Sequence, residues 1–334
     1  MGSFGIKLEN HLTLPENVAL ARRAEEAGLD SVWIGEYRAE AVVPMAAFAM
    51  ATERLLIGSA AIQLYTRSAP VLAMTVASLA ELAPGRIALG LGSSTNVIIE
   101  RWHGLERRKP LLTMAESITS VREILEGGRV SFAGERVSVD DFRLERGAAN
   151  GPIPIYAAAL GEKMLALAGR HADGVLLNAY PFDHIPAIRR LVEEASAAAG
   201  RPPGAVRLAG DLRIGIADDT EQLQRMRTSQ RKAIAYYAKL APYNRFFAEA
   251  GFERQAAAIR EAWAVDDRPR AVAAVDDEML DQIVVVGGRQ EVRDRLSQLA
   301  VDGLDSSLVF PLWEGDDPAA ATEQILAVVA EVAA

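Results

Sequence analysis

The sequence contains no cysteine and has few histidines, few aromatic residues and no long apolar run. The absence of cysteine excludes disulfides, cysteine-ligated zinc and thiolate nucleophiles. Four histidines leave little room for a histidine-rich metal site, so we expect no metal. No segment reaches the roughly 18 uninterrupted apolar residues of a membrane span, which argues against a membrane protein. The N-terminal MGSFGIKLEN has no basic segment followed by an apolar run, so we expect a cytoplasmic protein.

The charge balance argues against a nucleic-acid partner. The chain has 36 Lys and Arg against 45 Asp and Glu, a net charge of −9. Binding to phosphates needs clustered cations, and stacking on bases needs aromatic side chains, which make up only 6% here. The remaining expectation for a partner is a small-molecule substrate.

Short apolar segments alternate with helical patterns along the whole chain. Eight predicted strands cover residues 4–10, 31–37, 54–64, 86–94, 153–161, 173–180, 206–218 and 307–313. Each except the last is followed by helical sequence. Nearly continuous apolar strands are typical of parallel strands that are buried on both faces. Eight such units predict an α/β fold, a (β/α)8 TIM barrel, over a doubly wound open sheet, because no G-x-G-x-x-G turn follows the first strand.

The length of 334 residues fits roughly two average domains or one large barrel. No linker rich in Pro, Gly or Ser is present, so we expect a single domain over residues 1–334. Two connections, about 92–152 and 218–305, are longer than usual and predict insertions with a function. Within the first, the segment RVSFAGERVSV predicts a small hairpin.

The active site of a barrel lies at the carboxyl ends of its strands, and small residues predominate at three of these ends. The candidates there are Ala60, Ala61, Gln63, Gly92, Ser93, Ser94, Thr95, Ala158, Ala159, Leu160 and Gly161. Glycine allows a ligand to approach the backbone, serine hydroxyls bind phosphate oxygens, and an uncovered helix start binds anions. Tight helix–strand packing and an ordinary turn are the alternative interpretations.

Polar side chains follow other strands. Glu36 and Tyr37 end the second strand and are candidates for acid or base chemistry, with Arg67 as a possible partner of the carboxylate. Glu9 and Asn10 end the first strand, and Asn178 ends the sixth. A lone carboxylate at a strand end is more often a hydrogen-bonded structural group than a catalytic one.

Several longer segments together resemble the bacterial luciferase-like superfamily of flavin and deazaflavin enzymes. They are IGSAAIQLYTRSAPVLA (57–73), LAELAPGRIALGLGSS (79–94), YAAALGEKMLALAGRHADGVLLN (156–178), GFERQAAAIREAW and VVVGGRQEVRDRLSQLAVDGLDSSLVFP, within 251–311. The sequence is most similar to the branch that uses coenzyme F420, of which methylenetetrahydromethanopterin reductase is typical.

The resemblance implies a barrel with an insertion and a cofactor site in its mouth. A non-prolyl cis peptide behind the deazaflavin ring maps to Ala60–Ala61. By the same resemblance, Ser93, Ser94 and Thr95 lie near the cofactor tail and ring, Ala158 to Gly161 form the phosphate-binding helix start, and Asn178 lies beside the cofactor. A homodimer is the expectation for the family.

The sequence departs from the family at the end of the second strand, where an Asp-His pair is common and this chain has Glu36-Tyr37. We therefore expect Glu36 to contact the ring or substrate and Tyr37 to donate the proton, with His103 or water as the next candidates. The function that follows is a deazaflavin-dependent oxidoreductase that transfers hydride between C5 of the coenzyme and a small organic substrate. An FMN-dependent monooxygenase and a non-catalytic ligand-binding protein remain the alternatives.

Overall fold

The computed structural model describes residues 3–9, 11–145, 151–299 and 303–333. In chain order the strands are β1 Ser3–Leu8, β2 Ser31–Ile34, β3 Leu56–Ser59, β4 Ile62–Gln63, β5 Ile87–Gly92, β6 Val130–Ala133, β7 Ser138–Phe142, β8 Ile155–Ala158, β9 Gly174–Leu177, β10 Arg207–Ile216, β11 Val284–Gly287 and β12 Ser306–Pro311. The candidate Asn10 lies outside the described residues.

Helices follow the strands along the chain. They are α1 Leu14–Glu26, α2 Val42–Ala51, α3 Ala69–Leu82, α4 Pro110–Glu126, α5 Glu162–His171, α6 Ile185–Ala198, α7 Thr220–Ala238, α8 Ala241–Phe247, α9 Glu253–Ala264, α10 Arg268–Ala273, α11 Asp277–Asp281, α12 Arg289–Leu299 and α13 Pro318–Ala333. Helix α1 shows how local sequence sets an end, because Thr13 and Glu16 form a reciprocal capping box and Pro15 occupies its first turn. No helix in the described ranges has the length and apolarity that crossing a bilayer requires.

Eight parallel strands close into a barrel, which confirms the predicted fold class. The strands pair in the order β1, β2, β3, β5, β8, β9, β10 and β12, and β12 pairs back to β1. The interior of the barrel is filled by Trp33, Ala88, Tyr156, Leu176, Ala209 and Leu308. A larger apolar layer packs between the strands and the surrounding helices.

The long strand β10 has two partners on one side. Its first part pairs with β9, from Arg207 opposite Gly174, and its last part pairs with β11, from Arg213 opposite Val284. Strand β11 was not predicted, because it lies within the segment 218–305, which was interpreted as an insertion. The segment 93–154 carries a π-helical turn Val97–Trp102, helix α4 and the predicted hairpin, formed by β6 and β7.

Two expectations for the elements are wrong. The strand predicted over 54–64 is broken into β3 and β4, because the Ala60–Ala61 peptide between them is cis and interrupts the extended backbone. The last barrel strand is followed by a helix, α13, although none was predicted. Helix α13 buries Ile325, Leu326, Val328 and Val329, and it contacts α12 and α1.

Candidate functional site

The carboxyl ends of the barrel strands form one mouth, because the strands run parallel. Each candidate that the structure describes lies in or directly after one of these strand ends, or in the short β4 beside β5. The mouth has two halves of different chemistry. The ends of β3, β5 and β8 carry small side chains, whereas β1, β9, β10 and β12 carry polar and aromatic ones.

The small-residue half is a flat wall. The Ala60–Ala61 peptide is cis, as the resemblance implied. A Cβ at Gly92 would lie 3.3 Å from the Ala61 methyl and 3.7 Å from the Ala158 methyl, so these three strand ends meet. A Cβ at Gly90 would lie 1.9 Å from the Ser59 carbonyl oxygen, so only glycine permits β3 and β5 to approach so closely.

Glu36 is held by the residues that follow β3. Its two carboxylate oxygens accept from Arg67 Nη1 at 2.8 Å and lie 2.7 Å from Arg67 Nη2, a bidentate ion pair. The backbone N–H of Gln63 donates to the same carboxylate at 3.0 Å. The hydrogen bonds with the Glu36 carboxylate raise the pKa of Arg67 above its ordinary value. Glu36 therefore ties the end of β2 to β4, which confirms the suggested partner Arg67.

Tyr37 lies at the exposed rim of the mouth. Its side chain is 51% exposed, and its ring centroid is 5.4 Å from that of Trp102 in the π-helical turn. The Arg38 guanidinium lies 5.3 Å from the Tyr37 ring and 5.9 Å from the Trp102 ring. The phenol is thus accessible to a ligand entering the barrel, next to the first long insertion.

The loop after β5 is organised by Arg107, which the sequence analysis did not single out. Its guanidinium donates to the carbonyl oxygens of Ser93 and Ser94 at 3.0 and 3.1 Å. It also donates to the Asn96 side chain at 3.2 Å. Ser94 has a φ of 53°, and the Thr95 hydroxyl accepts from the Ile98 N–H at 3.4 Å. A positive charge is therefore present beside the predicted serines.

The start of α5 has no capping side chain. Gly161 is the N-cap residue, and no heavy atom lies within 4 Å of the position of an added Cβ. Open space at a helix N-terminus favours an anion through the free N–H groups and the helix dipole. Leu160, in contrast, lines a cleft of about 230 Å³ together with His184 and Phe246, so its side chain serves helix packing.

The polar half of the mouth contains a buried ion pair. Lys7 Nζ lies 2.6 Å from Asp211 Oδ2, with side-chain exposures of 11% and 4%. Glu9 follows two residues after Lys7, so strand alternation places both on one face of the chain. Burial raises the pKa of Glu9, Asp211 adds to this rise, and Lys7 and Arg213 oppose it.

Asn178 belongs to a hydrogen-bonded chain in the same half. It accepts from Arg213 Nη2 at 2.9 Å and donates to the Tyr243 hydroxyl at 2.7 Å. Burial raises the pKa of Tyr243, which keeps this phenol neutral. The Arg213 guanidinium lies 4.5 Å from the Phe310 ring and 5.5 Å from the Tyr237 ring. Asn178 is therefore held by the hydrogen bonds of the polar half.

Sequence reasoning missed Lys7, Asp211 and Arg213. The available signal is a charged residue inside an otherwise apolar strand, as in FGIKL and LAGDLRIGI. Spacing of two residues places Asp211 and Arg213 on one strand face. The described residues contain no group of three or more His, Asp or Glu side chains arranged to hold a metal ion.

Comparisons with known proteins agree on one family. The family described as luciferase-like monooxygenase matches residues 3–306. The chain is 29% identical to 5,10-methylenetetrahydromethanopterin reductase of Methanolobus tindarius over 302 residues, covering 89% of this chain and 90% of the relative. It is 28% identical to the enzyme of the same name from Archaeoglobus fulgidus, covering 90% and 91% of the two chains.

A solved structure supports the same fold. The coenzyme F420-dependent tetrahydromethanopterin reductase from Methanopyrus kandleri superposes with a TM-score of 0.78 at 23% identity, covering 97% of each chain.

Proposed function

The chain belongs to the luciferase-like monooxygenase family, and we propose that it is an oxidoreductase that uses coenzyme F420. The observation that carries the proposal is the flat wall of small residues around the cis peptide, facing a polar half in the same mouth. Such a wall fits a planar ring on one side, and the polar half fits a substrate on the other. The coenzyme F420-dependent reductase from Methanopyrus kandleri, which shares the fold over 97% of each chain, supports the choice of cofactor.

The described residues fit a deazaflavin with a phosphorylated tail. Ala60, Ala61, Gln63, Gly92 and Ala158 form the surface for the ring, with Asn178 at its edge. The loop Ser93 to Thr95 and the uncapped helix start, Ala159 to Gly161, are the positions for the tail. When bound, the deazaflavin supplies hydride transfer at C5, which the protein side chains lack. Leu160 contributes its backbone N–H, since its side chain lines the helix cleft.

Glu36 and Tyr37 take different roles in this proposal. The Glu36 carboxylate is occupied by Arg67 and Gln63, so it positions the end of β2 against the ring site. Tyr37 is accessible at the rim and donates the proton that neutralises the substrate after hydride transfer. The phenol hydroxyl is a proton and hydrogen-bond donor, which suits an acid.

Cofactor reconstitution tests the proposal. The purified protein is titrated with F420 and, separately, with FMN, and binding is followed by the fluorescence of each cofactor. We expect F420 to bind more tightly and to be oxidised or reduced in the presence of a substrate panel. Preference for FMN with oxygen consumption would establish the monooxygenase alternative. Tight binding without turnover of any substrate would favour a ligand-binding protein.

We also propose that two copies associate through α2 and α3. Helix α2 has no charged residue, and both helices expose large apolar side chains, namely Val43, Met50, Val71, Met74 and Leu82. Large apolar faces on neighbouring helices mark an interface. Helix α2, which has no charged residue, is compatible with an isologous homodimer, in which the same patch of both copies meets. The cytoplasmic location stays a prediction that cell fractionation tests.

A further inference from the structure

Arg213 is a buried cation that forms no direct ion pair with a carboxylate among the described residues. It is 5% exposed, and both of its hydrogen bonds come from Nη2, to Asn178 Oδ1 at 2.9 Å and to the Tyr237 hydroxyl at 3.4 Å. Its Nε has no hydrogen-bond partner, and within the described ranges no carboxylate forms an ion pair with it. Buried charges are normally paired and fully hydrogen-bonded, because removing them from water is costly.

The neighbouring carboxylates do not fill this role. Asp211 lies two residues earlier on the same strand, and Lys7 holds it at 2.6 Å. Glu9 is only partly buried, and within the described ranges its carboxylate forms no ion pair with Arg213. Among the described residues, neither carboxylate therefore pairs directly with the Arg213 guanidinium.

The position of Arg213 suits a ligand that enters the mouth. Asn178, Tyr237 and Phe310 surround it and are each only partly buried, so they form the rim above the guanidinium. The Phe310 ring lies 4.5 Å from the guanidinium carbon. The ring and the two hydrogen bonds restrict the rotation of the guanidinium, while Nε remains without a partner. The cation is thus oriented in advance, which lowers the entropy cost of binding.

We propose that Arg213 binds a carboxylate of the substrate, with Asn178 and Tyr237 orienting the guanidinium. This inference rests on the proposed function and names the substrate class as small organic acids. The planar guanidinium matches a carboxylate in geometry. A phosphate monoester carries about −1.5 to −2 charges at pH 7, more than the single unpaired cation neutralises. The bound carboxylate supplies the counter-charge and a partner for Nε.

Calorimetric titration tests the proposal with acetate, benzoate and succinate, and with inorganic phosphate for comparison. Each anion is titrated into the F420-loaded protein and into the protein without cofactor. We expect at least one carboxylate to bind more tightly than phosphate. Arg213→Gln should weaken that binding about 10- to 100-fold, the usual effect of losing a hydrogen bond to a charged group. Arg207→Gln, an exposed arginine near the other end of β10, is the matched control and should bind as the wild type does.

A second variant keeps the test independent of folding defects. Asn178→Asp places a carboxylate beside Arg213, so it should abolish carboxylate binding while circular dichroism and thermal unfolding remain native. Unchanged carboxylate binding in both variants, or no carboxylate binding to the wild type, overturns the proposal. Loss of F420 affinity in Arg213→Gln with carboxylate binding intact also overturns it, and assigns Arg213 to the cofactor. Failure of the wild type to bind F420 counts against the proposed function alone, since the titrations without cofactor still test Arg213.

Discussion

Lys7 and Asp211 form a buried ion pair with an N–O distance of 2.6 Å across the intervening strand β12. Removing one partner leaves a buried charge without compensation. We expect Lys7→Met to lower the free energy of unfolding by about 3–5 kcal/mol.

The double variant Lys7→Met with Asp211→Leu tests whether the loss of stability comes from the unpaired charge of Asp211. Replacing a whole buried ion pair by apolar residues is often neutral. We expect it to recover most of the lost stability in urea denaturation. Glu26→Gln, in an exposed pair with Arg23, is the control and should change stability by less than about 1 kcal/mol. A Lys7→Met effect as small as that of the control would contradict the prediction.

Glu9 should make the protein less stable as the pH rises. Its ordinary pKa is 4.5, and burial raises the pKa in the folded state. Between these two values the folded state binds more protons than the unfolded state, so stability falls with rising pH. The free energy of unfolding of Glu9→Gln, relative to that of the wild type, should therefore increase above pH 4.5. The difference should level off above the raised pKa of Glu9 in the folded state. Denaturation of both proteins over a pH series checks this, and a difference independent of pH would rule it out.

Tyr37→Phe should lower kcat about 10²- to 10⁴-fold, because the phenol donates the proton in the proposed reaction. Cofactor affinity should stay unchanged, since the ring of Tyr37 is retained. Steady-state kinetics and fluorescence titration with F420 separate the two quantities. Tyr236→Phe, a phenol of similar exposure on α7, is the control. Full turnover in Tyr37→Phe would assign the proton to His103 or to water.

Gly161→Asp should weaken F420 binding, because it adds a negative charge at the helix start proposed for the phosphate. Gly161→Ala is the matched control, since the position of its Cβ is open and the backbone φ of −80° suits alanine. Dissociation constants from fluorescence titration distinguish the effect of charge from that of size. Equal constants for the two variants would place the phosphate elsewhere.

Met74→Asp should convert the proposed homodimer into monomers, because it introduces a charge into the apolar face of α2 and α3. Sedimentation velocity reports the change in mass directly. Val265→Asp is the control, because Val265 is 70% exposed and lies outside that face. A wild-type protein that is monomeric at all concentrations would contradict the proposed homodimer.

Much of the mouth could be predicted from the sequence, since strand ends and small residues are local features. The apolar runs located all eight barrel strands, and the pattern of small residues identified Ala60, Ala61, Gly92 and Ala158. The cis peptide followed from the resemblance, because no propensity of two alanines indicates it. Strand β11 and the final helix α13 were not predicted, the first because it lies within the segment 218–305 that was interpreted as an insertion.

The sequence by itself determined which strand ends carry small residues and which carry charges, because strand period and composition are set locally. The sequence suggested the pair of Glu36 and Arg67, which the structure confirmed, whereas only the tertiary structure revealed Lys7 with Asp211 and Arg213 with Asn178. The partners Lys7 and Asp211, Glu36 and Arg67, and Asn178 and Arg213 lie 204, 31 and 35 residues apart. Closure of the barrel brings the first pair together, and the pairing of neighbouring parallel strands brings the other two together. That Arg213 forms no ion pair among the described residues likewise appears only in the folded chain, because Lys7 holds the neighbouring Asp211.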